Sequence, residues 1–184
     1  MNLSGKILIA MPAMGDPRFE KSVVLLCSHS AEGALGLIVN KPLPELGFPA
    51  LLDQIGIAHG PEIRTVPVQY GGPVEQGRGF VLHGADWRAT AGTIEVPGGL
   101  AMTATQEVLA ALGHGQGPER ALLALGYAGW GAGQLESEIA RNDWLTWDAA
   151  PELIFSPDNG AKWTGALALM RIDPLTLSAS AGRA

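Results

Sequence analysis

The sequence predicts an α+β fold: a single compact domain with a large mixed β-sheet and three to four helices. Three observations carry that prediction. Apolar residues make up 47% of the 184 positions and charged residues 16%, the balance of a chain with a substantial core. Short apolar runs bounded by Gly and Pro recur along the first two thirds, as strands buried on both faces do. Helical spacing of apolar residues is clearest in the second half. Residues 1–184 read as one domain, with no internal repeat and no linker long enough to divide them.

The elements follow in order. Ile7 to Ala10 is a strand ending at Pro12, and Ser22 to Ser28 and Ala34 to Asn40 are two more. Asp16-Pro17-Arg18-Phe19 is a turn or short helix with Pro at its first position. Pro49 to Ile55 forms a short helix with Leu51, Leu52 and Ile55 on one face, and Val66 to Tyr70, Gly79 to His83 and Thr93 to Val96 are turn-bounded strands. Thr103-Ala104-Thr105-Gln106 matches a capping box, opening a helix to Leu112 with Gly113 as its stop. Arg120 to Tyr127 reads as a buried strand and Gly133 to Arg141 as a helix, Leu135 and Ile139 inward, Glu136 and Glu138 elsewhere. Ser156-Pro157 opens a last helix carrying Trp163, Leu167 and Met170, Asp173-Pro174 closes it, and a brief tail follows.

Charge and motif content exclude several function classes. A net charge of −6, with basic residues such as Lys6, Arg18, Lys21, Lys41 and Arg64 in no run, argues against direct nucleic-acid binding. One cysteine, Cys27 within Val23 to Cys27, rules out an intrachain disulfide and reads as a small buried hydrophobe. No apolar stretch is long enough to span a bilayer and the start reads as a strand, so a cytoplasmic location is the default expectation. None of the eight serines sits in a nucleophile elbow, and no zinc, calcium or phosphate-loop spacing occurs, so no metal or cofactor is expected. The glycines from Gly126 to Gly133 lie between a predicted strand and helix, where a close-packing turn is favoured over an anion cradle because no Lys or Arg falls among them.

The candidate ligand or partner residues are polar groups and glycines at element edges. His29 and His83 end strands, where ligands often meet a sheet. Asp16, Asn40, Arg78, Gln134 and Asn142 stand at similar edges, and Gly71-Gly72-Pro73 forms a turn at a strand end. Singly, each reads as a cap, a turn or a hydrogen-bonded structural residue; convergence in one pocket would make them a site. His59 and His114 read as solvated, and most of the five tryptophans as core.

Long blocks run in order along the chain: Leu8 to Pro12, Gly33 to Pro42, Gly71 to Val74, Arg78 to His83, Leu100 to Thr103, Gly126 to Trp130 and Asn142 to Leu145. Together these blocks resemble the YqgE/AlgH family of bacterial proteins. They cover nearly the whole chain; Arg171 stands where the resemblance leads one to expect glycine. The resemblance implies a compact α+β fold with a large mixed sheet, and a label of transcriptional regulator that the residues give no DNA-reading element to support. The functional expectation is a non-enzymatic binding or regulatory module acting on an unknown protein or small-molecule partner. One alternative is a small enzyme with His29 or His83 as general base, oriented by Asp16 or Glu138; another is a regulator binding DNA directly.

Overall fold

Strands that are apolar at every position need cover on both faces. In the computed structural model, which describes residues 1–181, the first three strands obtain it. They are β1 (Lys6–Ala10), β2 (Val23–Ser30) and β3 (Gly33–Ile38), a run of antiparallel neighbours. Ile7, Ile9, Val23, Leu25 and Leu37 enter one core; Leu8, Val24, Leu26 and Ile38 enter a second on the opposite face. The alternation is the period of two that a strand imposes.

The chain continues through α1 (Phe48–Gln54), β4 (Val68–Tyr70), β5 (Val74–Gly84), β6 (Thr93–Val96), β7 (Leu100–Thr103) and α2 (Gln106–Gly113). It then forms β8 (Ala121–Gly131), α3 (Gln134–Ala140), β9 (Trp144–Asp148), α4 (Pro151–Ile154), α5 (Lys162–Leu169) and α6 (Pro174–Ala181). The strand order is β6-β7-β5-β8-β3-β2-β1-β9. Every pairing is antiparallel except that of β4 with β8, which makes the sheet mixed. β8 is the spine: its first half lies beside β5 and β4, its second half beside β3.

The sheet curls until the β6–β7 turn returns to its opposite end. A Cβ at Gly5 would sit 2.6 Å from the Pro97 carbonyl oxygen, so only glycine fits there. Inside the curl lies the first core, completed by Ile154 of α4 and Trp163, Ala166 and Leu167 of α5. Leu135 of α3 covers the second core; α1 and α2 cover a third over Val81 and Leu123. Among the described residues no helix is long and apolar enough to cross a membrane.

Several expectations need correction. Six α-helices, not three to four, are present among the described residues. The Thr103–Gln106 capping box does not form: Thr103 ends β7, and Thr105 precedes α2 without a side-chain cap bond. Gly113 lies within α2, and the left-handed stop comes two residues later at Gly115 (φ 78°). Gly126 to Gly131 belong to β8 rather than to a turn. The predicted last helix starts later than Ser156-Pro157, with a 3-10 turn at Asn159–Ala161 before α5 begins at Lys162, and the short α4 lies ahead of its predicted opening. Asp173-Pro174 opens α6 instead of closing a helix: the Asp173 carboxylate accepts from the Leu175 N–H, a cap that suits Pro at the first helical position.

The resemblance calls for glycine at 171, and the backbone explains why. Arg171 has φ 58°, and the N–H groups of Arg171 and Ile172 donate to the carbonyls of Ala168 and Leu167. That is the left-handed helix stop glycine adopts without strain.

Candidate functional site

The residues singled out in the sequence do not converge. His29, Asn40 and Arg78 line three different depressions. Most of their polar atoms are engaged in local structure.

His29, Gln134 and Asn142 stand around α3, each bound into the fold rather than facing a shared pocket. His29, on β2, is buried; its Nδ1 accepts from the Leu3 N–H at 3.0 Å and its Nε2 donates to the Glu136 carboxylate at 2.5 Å. The N–H of Glu136 itself, then the His29 ring, hold the Glu136 carboxyl below its usual range. Gln134 accepts from the Gly131 N–H and donates to Glu138. Glu138 accepts two indole N–H bonds, from Trp130 at 2.7 Å and Trp144 at 3.0 Å. Asn142 (φ 62°) closes α3 as its left-handed stop, its own N–H donating to the Ile139 carbonyl and the next N–H to that of Glu138. Glu136 and Glu138 thus bind structural groups, where the sequence left them pointing elsewhere. The pairing of His29 or His83 with Asp16 or Glu138 that the enzyme alternative requires does not form.

His83 is fully buried in a directional chain. His83 Nδ1–H donates to the Gly84 carbonyl, so in the neutral ring Nε2 accepts from the Thr103 hydroxyl, which in turn accepts from the Thr93 hydroxyl, and Thr93 Oγ1 accepts from the Ala89 N–H. Both ring nitrogens are consumed, and burial lowers the ring's pKa. Asp16 caps the 3-10 turn Pro17–Phe19 and chelates Arg18 with both oxygens; the Arg18 hydrogen bond lowers its pKa. His59, expected to be solvated, bonds Asp53 at 2.8 Å, while His114 is exposed.

Gly71, Gly72 and Pro73 join β4 to β5 by close approach. A Cβ on Gly71 would collide with the Gly126 carbonyl, and one on Gly72 with the Tyr127 carbonyl. The two glycine-rich segments therefore pack backbone to backbone. Arg78 lies 3.7 Å from Glu75 and over the Phe80 ring, at the rim of an apolar groove floored by Leu123 and Leu125. Cys27 is buried as expected, and burial pushes its thiol up to about 12. Trp130, Trp144 and Trp163 are core, Trp87 is half-buried, and Trp147 on the edge strand β9 is exposed.

Spare polar capacity gathers elsewhere, in a cleft between the Pro17–Lys21 turn, the end of β3 and the start of α5. Asn40 braces this turn: its Oδ1 accepts from the Val23 N–H and its Nδ2 donates to the Lys21 carbonyl. The Lys21 ammonium stands 5.8 Å from the centre of the Trp163 ring, on a left-handed backbone (φ 52°). Lys41 donates to the Glu20 carbonyl at 2.9 Å and keeps two further N–H groups; partial burial lowers its pKa. Asn159 accepts from Gln69 through Oδ1, which leaves its amide donors for the cleft. Trp163 is anchored by its indole N–H to the Ala10 carbonyl. Behind this wall Lys162, 2% exposed, donates to the carbonyls of Val39 and Ile154 and forms no ion pair among the described residues, and desolvation lowers its pKa to about 8.

Lys21, Lys41, Asn159 and Trp163 were not singled out from the sequence, and no local signal could have found them together. The two lysines lie 20 positions apart and more than a hundred from Trp163. Among the described residues no group of three His, Cys, Asp or Glu side chains is placed to hold a metal.

Comparison with known proteins gives a consistent set of matches. A family model described as AlgH-like matches residues 7–175. A UPF0301 protein of Cereibacter sphaeroides is 57% identical over 184 residues, covering 100% of both chains. One of Paracoccus denitrificans is 54% identical over 185 residues, 100% of this chain and 97% of its own. The solution structure of the AlgH protein from Pseudomonas aeruginosa matches with a TM-score of 0.81 at 40% identity, covering 100% of this chain and 97% of that one. A Corynebacterium diphtheriae protein solved by X-ray crystallography matches with a TM-score of 0.72 at 20% identity over 96% and 91% of the two chains, which shows the shared fold alone.

Proposed function

The chain belongs to the AlgH-like family, and on that premise we propose that it is a non-enzymatic binding module for a small molecule bearing an anionic group. The cleft bounded by Lys21, Lys41, Asn159 and Trp163 is its binding site, and any regulatory role acts through occupancy of that cleft. One observation carries the reading: the cleft gathers ammonium and amide donors that structural bonds leave over, against an aromatic wall. Such a surface binds and orients an anionic ligand.

The general-base alternative loses support because both nitrogens of His29 and of His83 are engaged. Direct DNA binding is disfavoured by the pairing of Lys6, Arg18, Arg78, Arg88 and Arg141 with carboxylates. We also assign the protein to the cytoplasm, a reading that fits a chain whose fold relies on no disulfide.

A thermal-shift screen against anionic metabolites tests the proposal. At least one anion should raise Tm with a saturable dose dependence, and Lys21→Gln/Lys41→Gln should abolish the rise. No shift from any anion, or a shift retained by the double variant, would overturn the reading.

A further inference from the structure

The lysine cleft has a second lobe of different character. Glu20, Lys21 and Trp163 form a wall shared by two depressions. On one side the lining is Asn40, Lys41, Asn159 and Thr164; on the other it is Met11, Pro12, Met14, Pro174 and Leu175. One lobe is lined by hydrogen-bond donors and the other, beyond the shared wall, mainly by apolar side chains, and they meet at the Glu20 carboxylate, one ammonium group and one indole ring. Leu175, 77% exposed, stands on the rim of the apolar hollow, where a seated ligand would cover it.

Charge narrows the ligand further. Two ammonium groups, Lys21 and Lys41, face the cleft, and the Glu20 carboxylate stands near enough to Lys41 to support its charge. The lining therefore carries a single net positive charge. A carboxylate matches it, whereas a phosphate monoester, with about −1.5 to −2 charges at neutral pH, would meet Glu20 with charge left over. A ligand whose anionic head meets the lysines would reach the Met11–Met14–Leu175 hollow by passing over the Lys21 and Trp163 wall that both depressions share.

We infer that the ligand is a single-chain carboxylate, a free amphiphile whose head pairs with Lys21 and Lys41 and whose alkyl chain lies along Met11, Met14 and Leu175. The inference rests on the anion-binding reading above and adds the chain to it. Met side chains suit such a lining because they adapt to an irregular, flexible guest.

The test is calorimetric titration of the full chain with butyrate, hexanoate, octanoate and decanoate below their micelle concentrations, with 1-octanol and octyl phosphate for comparison. Affinity should rise about two- to fourfold per added methylene. Octanol and octyl phosphate should each bind at least about tenfold more weakly than octanoate, for want of a charge and for excess of it respectively. Leu175→Asn, at an exposed position, should weaken octanoate several-fold and flatten the chain-length trend without changing the response to butyrate. Binding of butyrate that Lys21→Gln/Lys41→Gln removes, with no gain from longer chains, would overturn this inference and leave the anion-binding reading standing. No binding by any carboxylate or other anion would overturn both, and octyl phosphate binding as tightly as octanoate would overturn the carboxylate assignment.

Discussion

Around α3 and around Lys21 the molecule places similar numbers of polar side chains, and it uses them in opposite ways. On α3, Gln134, Glu136 and Glu138 are consumed by partners from three other segments: the end of β8, the His29 ring on β2, and the indoles of Trp130 and Trp144. Around Lys21 the ammonium groups of Lys21 and Lys41 and the Asn159 amide keep donors in hand, held in place by backbone and by a neighbouring glutamine. A carboxylate between two largely buried indoles is a joint, because removing it strands donors that cannot reach water. An ammonium in an open cleft loses little when unpaired, because water solvates it until a ligand replaces the water. Polar residues at element edges are therefore poor guides to function by themselves. What separates joint from site is whether the partner is already present.

The sharpest way to break this contrast is to compare substitutions on the two surfaces. Glu138→Ala should cost about 2–4 kcal/mol, since the N–H groups of Trp130 and Trp144 both lose their acceptor. Urea unfolding followed by circular dichroism would measure it. A loss below about 1 kcal/mol would show that water reaches those indoles and that α3 is not the joint described.

Lys162, directly behind the cleft wall, sharpens the comparison through pH. Its folded pKa, near 8, lies below its ordinary value of 10.5, so between those values the unfolded chain binds more protons than the folded one. Stability from this group is therefore present at high pH and is lost as pH falls through the window from 10.5 to 8. The change is about 1–3 kcal/mol, discounted for partial screening. Lys162→Met should flatten this part of the profile, and Tm measured at half-unit steps from pH 7.5 to 10.5 would show it. An unchanged slope would place the titration elsewhere.

Smaller effects separate the two helix stops. Arg171→Gly should stabilise by up to about 1 kcal/mol by relieving a left-handed backbone, and Asn142→Gly by less, because Asn tolerates that region. Equal gains in the midpoint of chemical unfolding would contradict the account of these caps. Smallest of all, Lys21→Gln and Lys41→Gln should change stability by no more than about 0.5 kcal/mol without ligand, as open, solvated positions do. A loss as large as that of Glu138→Ala would make the cleft a joint as well.

Much of the fold is legible in the sequence because it rests on local period. The apolar runs Ser22 to Ser28 and Ala34 to Asn40 suit strands with both faces covered, and β2 and β3 occupy most of them, although the cores they enter are built by residues far along the chain. β6 spans Thr93–Val96, the residues its turn-bounded pattern predicts. β9 is not predicted: Trp144–Asp148 is a short edge strand whose outer half is exposed, so its sequence carries little alternation. α2 starts later than its sequence predicts because Thr103 serves the His83 chain rather than a helix cap, a competition that sequence spacing does not reveal. The glycines of β8 read as a turn because glycine is common in turns, whereas here they let the β4–β5 connection pass against the strand backbone.

From the sequence alone follow the family, the α+β class, the inert buried cysteine and the strands of the first half, because composition, block order and side-chain period survive without long-range contacts. Only the tertiary structure decided that His29, Glu138 and His83 hold the fold together and that Lys21, Lys41 and Trp163 meet. Those outcomes depend on how a curled sheet brings β2, β3 and α5 side by side, and on whether a polar atom finds its partner within the chain or leaves its bond for a ligand.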